Sequence, residues 1–494
     1  MHLPGAYGPV VPDDTHVDIV IVGAGISGID AGYHVQSRLP GKTYAILEGR
    51  DAIGGTWDLF RYPGIRSDSD MYTLGFPFRP WTGGNAIASG ESILAYLRET
   101  VELYGIDRKI RFGHRVLAAR WSSNDARWTV DVHKSATGEP IQLTCSFLFL
   151  CAGYYDYAQG YTPEFPGRER FRGRIVHPQQ WTPDIDYAGK RVVVIGSGAT
   201  AVTLVPELAK RAAHVTMLQR SPTYIVSLSA RDRVADWLRT RFSPQRAYDL
   251  ARWKNVLRGM AFYSLSRKFP ARTKKLLLKG IRQLVKDPAD VAEHFTPTYK
   301  PWDQRVCVVP DGDLFAELDA GRASVVTDHI ETFTETGITL RSGKTLEADL
   351  IITATGLTLQ PFGGMSVAVD GTPLEPATTM VYKGMMLSDV PNLAFSIGYT
   401  NASWTLKCDL TSQYVCRLIE YLDKHGFTSC RPRRDPSVKQ APLLDFTSGF
   451  VQRSIDRFPR QGTTVPWKLY QNYPLDLAML RYANVEDATM QFAR

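Results

Sequence analysis

The sequence has no apolar run approaching the roughly 18 residues that a membrane-spanning helix needs. Its longest candidate, Phe147 to Tyr155, falls far short. Cysteine is scarce: 6 in 494 residues, with no Cys-x-x-Cys pair. Zinc ribbons and dithiol redox motifs are thereby disfavoured, no metal site is expected, and reduced thiols in a cytoplasm fit best. The first fifteen residues lack a charged stretch followed by an apolar one, so no secretory leader is expected. Glycine (40) and proline (30) stand near average usage, which excludes collagen-like and low-complexity classes. No helix-turn-helix, zinc or RNA-recognition signature is present, so no nucleic-acid partner is expected. What remains is an ordinary globular composition, 44% apolar and 22% charged. At roughly 150 residues per domain, the length suits about three domains.

Acidic residues are scarce in one stretch. Residues 231–286 hold sixteen Lys/Arg and three Asp, a net of +13 in a chain whose total is +8, so the remainder carries −5. Apolar positions recur there every three or four residues, which predicts helices. Two readings stay open: a solvated helical face over a cofactor domain, or a helix pair lying on an anionic membrane surface. The second would bring an otherwise cytoplasmic protein to the inner membrane face.

Two copies of one unit organise the chain. Val17–Val22 reads as a buried strand, runs into Gly23-Ala-Gly25-Ile-Ser-Gly28 and a helix to about Arg38, and returns as a strand at 44–48. The unit recurs as Arg191–Ile195, Gly196-Ser-Gly198-Ala-Thr-Ala201, a helix to about Arg211 and a strand at 214–219. Near-continuous apolar strands are what a parallel sheet covered on both faces requires. Further strands at 147–153, 348–356 and 392–398, and a helix from about Thr411 to Gly426, complete the plan. The expected fold is α/β, with two nested doubly wound (Rossmann-like) dinucleotide-binding domains and a helical insert. The predicted bounds are 1–152 and 381–494 for the first domain, 153–222 and 300–380 for the second, and 223–299 for the insert.

In a G-x-G-x-x-G turn the first glycine makes the bend. The second lets the backbone approach a pyrophosphate, and the third lets helix and strand pack closely. The helix N-terminus then offers free N–H groups to the phosphates. After Gly23, Gly25 and Gly28, Glu48 ends the next strand, where a carboxylate binds ribose hydroxyls. The second unit has Gly196, Gly198 and Ala201, but its second strand ends in Gln219-Arg220, without a carboxylate. An arginine there suits a 2′-phosphate. The pair of sites predicts FAD in the first unit and NADP(H) in the second, hence flavin redox chemistry. Disulfide reductases share this plan, but no cysteine precedes Cys145 to serve a flavin-adjacent pair.

Gly54-Gly-Thr-Trp57 with Arg61-Tyr-Pro-Gly-Ile-Arg-Ser-Asp68, and Phe171-x-Gly173-x-x-x-His177-x-x-x-Trp181, resemble the two fingerprints of Baeyer–Villiger monooxygenases; Thr182 stands between Trp181 and Pro183. The resemblance extends through 60–76, 302–305 and 398–406, toward thioamide-oxidising members of that family. It implies NADPH- and O2-dependent insertion of oxygen beside a ketone carbonyl to give an ester or lactone, through a C4a-peroxyflavin, with sulfide oxygenation as a side activity. By position, Arg305 resembles the catalytic arginine and Asp68 its carboxylate partner. Gly55, Trp57, Asp68, Gln304 and Asn401 fall where the family contacts its cofactors. Many relatives carry lysine where Gln304 stands, which leaves more of the 2′-phosphate to Arg220. His177 fits a domain linker better than a proton donor. Trp467 reads equally as core packing or as an aromatic closing over NADP(H). Alternatives remain a flavin monooxygenase acting mainly on sulfur or nitrogen, and a flavin-bearing membrane-associated protein without catalysis. Neither the individual substrate nor the oligomeric state is legible.

Overall fold

A computed structural model describes residues 16–444 and 446–494; the expected lack of a leader concerns residues 1–15, outside that range. The chain opens with β1 (His16–Val22), α1 (Ile26–Arg38) and β2 (Tyr44–Leu47). Four strands then extend the same sheet: β3 (Ile110–Arg111), β4 (His114–Ser122), β5 (Arg127–Lys134) and β6 (Pro140–Leu150). β1 lies parallel to both β2 and β6, with Ile21 opposite Ile46 and Phe149. Its side chains alternate between two cores, Ile19 and Ile21 on one face and Val20 and Val22 on the other. Burial on both faces is why the strand reads as one apolar run.

The second sheet uses β7 (Arg174–Val176), β8 (Arg191–Ile195), α2 (Ala199–Leu208) and β9 (His214–Gln219). After β10 (Ile225–Leu228) come the insert helices α3 (Arg233–Arg241), α4 (Pro244–Lys268), α5 (Pro270–Ile281) and α6 (Pro288–His294). β11 (Cys307–Pro310) returns beside β10, and β12 (Ala323–Thr327) and β13 (Leu350–Thr353) complete a parallel five-stranded sheet ordered β12-β9-β8-β13-β7. Because β10 and β11 pair with each other, the helical insert proper is 233–294, inside the expected 223–299.

The return to the first sheet also precedes the expected residue 381. β14 (Ser366–Val369) runs parallel to β4, and β15 (Thr372–Pro373) flanks it. A four-residue edge strand carries too little periodicity to reveal its sheet; β4 recruits it through backbone pairing. β16 (Leu393–Phe395) then pairs with β6, and α7 (Trp404–His425) packs on α1. α7 begins seven residues before the expected Thr411. Leu406, Cys408 and Leu410 are all buried, so the helix enters the core from its first turn.

A buried polar joint ties α1 to α7: His34 Nε2 donates to Asp409 (2.8 Å), and Ser412 donates to Asp30 (2.7 Å). Burial lifts the Asp30 carboxyl to about 7. Burial opposes a charged His34, but Asp30 and Asp409 together raise its pKa. α4 buries Ala247, Tyr248, Ala251 and Val256 and, among them, two polar side chains. Its inner face carries Arg252, which donates to the carbonyls of Tyr72 (2.9 Å) and Gly75 (2.8 Å), and Asn255, which donates to Asp70 (2.9 Å). Its outer face shows Leu250, Trp253, Leu257 and Leu265, each 41–55% exposed. No helix among the described residues is long and apolar enough to cross a membrane.

Candidate active site

The C-terminal ends of the parallel strands β1 and β8 open onto one cavity of about 1200 Å³. A single small ligand's site is typically about 300–1,000 Å³. Gly23 and Gly25 line it from one side, Gly196 and Gly198 from the other. Gly23 has φ +101° and Gly196 φ +132°, backbone open to glycine alone. At Gly198 a Cβ would meet nothing within 4 Å, so the backbone there stands bare toward open space. That is the room a pyrophosphate needs at a helix N-terminus. Gly28 and Ala201 do not line the cavity. Both are buried and let α1 and α2 sit close to their strands.

Glu48 lies at the end of β2 on the cavity wall. Its oxygens accept from the backbone N–H of Ala24 (2.8 Å) and Arg50 (2.9 Å), which fixes the glycine turn against β2. Burial raises its pKa against those two donors. A carboxylate has about four lone-pair positions, so acceptor capacity remains for a ribose. Gly55 and Trp57 follow on the same wall.

On the opposite side Arg220 is exposed at the cavity rim, with no ion pair among the described residues. Its neighbour Gln219 is buried and donates to the His294 carbonyl (2.7 Å) and Thr327 Oγ1 (2.9 Å). Gln219 therefore holds the strand end to α6, and Arg220 alone faces the pocket.

Between the two turns, Arg305 and Asp68 meet at 2.7 Å, with side chains 39% and 37% exposed, and both line the cavity. The Asp68 charge raises the Arg305 pKa further, outweighing the desolvation that opposes it. Arg305 thus stays cationic throughout the working pH range. Gln304 also lines the cavity.

Asn401 is not brought to this site. Its Nδ2 donates to the Gln471 carbonyl (3.0 Å), and its neighbours Thr400 and Ala402 face the cavity instead. Trp467 is 1% exposed and packs edge-on against Tyr382 at 5.8 Å, so it is core. His177 Nε2 donates to the Gly356 carbonyl (3.0 Å), and its Nδ1 accepts from Gln179 N–H (3.2 Å). Burial lowers its pKa, so it is a neutral clasp between β7 and the turn after β13.

Residues 75–397 match the family model described as flavin-binding monooxygenase-like, and 21–83 match an NAD(P)-binding Rossmann-like domain. The chain belongs to the flavin-binding monooxygenase-like family. It is 56% identical to the FAD-containing monooxygenase EthA of Mycobacterium tuberculosis (strain ATCC 25618 / H37Rv), over 97% of this chain and 98% of that protein. Identity to the probable FAD-binding monooxygenase AlmA of Acinetobacter baylyi is 49%, over 97% and 96%. Among solved structures, an oxidized steroid monooxygenase bound to NADP superposes with a TM-score of 0.76 at 24% identity, covering 97% of this chain and 100% of that one. Cyclohexanone monooxygenase from Rhodococcus sp. Phi1 bound to NADP+ gives 0.75 at 20%, covering 97% and 99%. At those identities the structural likeness concerns the fold.

Within this flavin-binding monooxygenase-like chain, the aromatic wall beside Arg305 escaped the sequence reading. Tyr154 contacts both Tyr155 (4.7 Å) and Trp404 (5.1 Å), and all three line the cavity. Trp404 Nε1 donates to Ser27 Oγ (2.7 Å), which fixes the ring across the first glycine turn. The available signal was position: the two tyrosines directly follow the strand-ending Gly153. All six cysteines are free and buried, with burial pushing the Cys307 thiol to about 12.

Proposed function

We propose that the chain is an FAD- and NADPH-dependent Baeyer–Villiger monooxygenase. A ketone, O2, NADPH and a proton would give an ester or lactone, water and NADP+, with sulfide or thioamide oxygenation as a side activity. The observation that carries this reading is the Arg305–Asp68 pair on the wall of the cavity that both glycine turns share. When bound, FAD reduced by NADPH would activate O2 for the transfer. Gly23, Gly25 and Glu48 would hold FAD; Gly196, Gly198 and Arg220 would hold NADP(H).

The chain's own residues do the rest. Arg305 directs a fixed positive charge at the region where negative charge builds up as the carbonyl is attacked, as oxyanion sites do. Its planar fork suits this better than a lysine's point charge. Asp68 orients that fork. Tyr154, Tyr155 and Trp404 exclude water, which strengthens each electrostatic contact. A panel of linear and cyclic ketones plus a sulfide tests the reading, with ester and sulfoxide as readouts. Sulfoxide without any ester would favour the sulfur- and nitrogen-oxygenating alternative.

NADPH preference should rest on Arg220. Losing a charged paired contact to the 2′-phosphate costs about 1.5–3 kcal/mol. Arg220→Ala should raise the NADPH KM by roughly tenfold or more and leave NADH use alone. An equal loss with both cofactors would make Arg220 structural.

The outer face of the insert supports contact with anionic lipid. Trp253, Leu257 and Leu276 are exposed amid the +13 charge of 231–286. Each surface-proximal Lys or Arg is worth about 1 kcal/mol toward such a membrane, screened by salt. The protein should co-sediment with vesicles containing phosphatidylserine at low salt and release at high salt. No sedimentation at low salt would leave only the solvated-face reading.

A further inference from the structure

We propose that Trp302 and Asp303 are positioning residues through which insert helix α4 sets where Arg305 stands. The inference rests on the reading of Arg305 given above and adds to it a task for the insert.

Trp302 has φ +70°, the left-handed region that a bulky side chain avoids. Such a backbone persists only when its surroundings hold it there. Its ring is held edge-on by two residues of α4, Phe262 at 6.3 Å and Tyr263 at 5.4 Å. The next residue is a three-way joint. Asp303 Oδ1 accepts from Arg267, in the last turn of α4, at 2.9 Å. Its carbonyl accepts from Thr447 N–H and Oγ1, both at 2.9 Å, and Thr447 lies between cavity-lining Phe446 and Ser448. Two residues beyond Arg305, Cys307 N–H donates to the Tyr224 carbonyl (2.8 Å) and opens β11. Gln304 and Arg305 are thus strung between a clasped turn and a sheet edge, both pointing at the cavity. The strain is local, and the groups that impose it come from the insert and the C-terminal segment. Displacing a reacting group by about 1 Å can lower a rate about a hundredfold, so a brace at this point matters more than its contact energy suggests.

Trp302→Gly is the informative variant. Glycine accepts the left-handed backbone and deletes the ring, so the positive φ no longer needs imposing. Product formed per NADPH should fall at least about fivefold. Independently of activity, amide hydrogen exchange across 300–306 should accelerate about tenfold while the thermal midpoint holds. Trp302→Phe, which keeps an edge for Phe262 and Tyr263, should restore both. Wild-type coupling in Trp302→Gly would overturn the proposal, as would lost coupling with wild-type exchange in 300–306. Should Trp302→Gly not fold, Arg267→Gln decides by the same two measurements. Its ion pair is half-exposed, and removing it disturbs stability little. Arg305→Ala is run alongside: if that variant also couples normally, the reading of Arg305 has failed and not the brace.

Discussion

Arg305→Ala is expected to abolish ester formation while NADPH oxidation continues. The guanidinium sits on the cavity wall 2.7 Å from Asp68. On the proposed reading its partner would be the negative charge that builds up during oxygen transfer, after the hydride has left NADPH. Removing it therefore spares reduction and strikes oxygenation. Stabilisation of this kind is typically worth about 3–4 kcal/mol, or two to three orders of magnitude in rate. The reducing equivalents should appear as hydrogen peroxide. Asp68→Ala should be milder, since Asp68 orients the arginine and need not touch the substrate. Arginine keeps its charge without a partner, so the loss in that variant is one of geometry. The measurement is ester formed per NADPH consumed in each variant. Normal coupling in Arg305→Ala would remove Arg305 from the mechanism.

The sequence made the two glycine turns legible because their chemistry is local. A bend, a close approach and a helix N-terminus all fall within six residues, and Glu48 follows within one strand. The Arg305–Asp68 pair was legible only by resemblance, since nothing near either residue signals that a turn beside the insert meets a loop beside α1. Tertiary choices were not legible. The strand at 366–369 belongs to the first sheet because β4 has a free edge. Asn401 turns toward Gln471 although its neighbours face the cavity. The polar interior of α4 was hidden for a further reason. Arg252 and Asn255 look like ordinary surface residues until Tyr72, Gly75 and Asp70 supply partners. Helical spacing marked the segment correctly as helix but could not say which face turns inward.

Gly28→Ala should give a folded but colourless protein, whereas Gly198→Ala should stay yellow and lose NADPH affinity. Gly28 is the third small residue of its turn and Gly198 the second of its own, and they face different surroundings. A Cβ on Gly28 would overlap the Gly23 carbonyl oxygen, and Gly23 is itself fixed by φ +101° with the Cys151 carbonyl beside it. Neither side can yield without moving α1 off β1. Its N-terminal N–H groups then leave the positions where they meet a pyrophosphate. Overpacking of this kind costs about 1–3 kcal/mol, and the lost phosphate geometry adds to it, so FAD affinity should fall by roughly two orders of magnitude. The fold should survive, because α1 remains anchored by Ile29, Val35 and the His34–Asp409 hydrogen bond. At Gly198 the same methyl meets no protein atom within 4 Å and the backbone is extended, so nothing in the fold resists it. It would project into the space that the proposed NADP(H) site gives to the second pyrophosphate. Flavin absorbance per protein, far-ultraviolet circular dichroism and NADPH KM separate the two outcomes. Full flavin occupancy in Gly28→Ala would show that the α1 turn does not need its close packing to hold FAD. An unchanged NADPH KM in Gly198→Ala would move the nicotinamide dinucleotide away from the α2 turn.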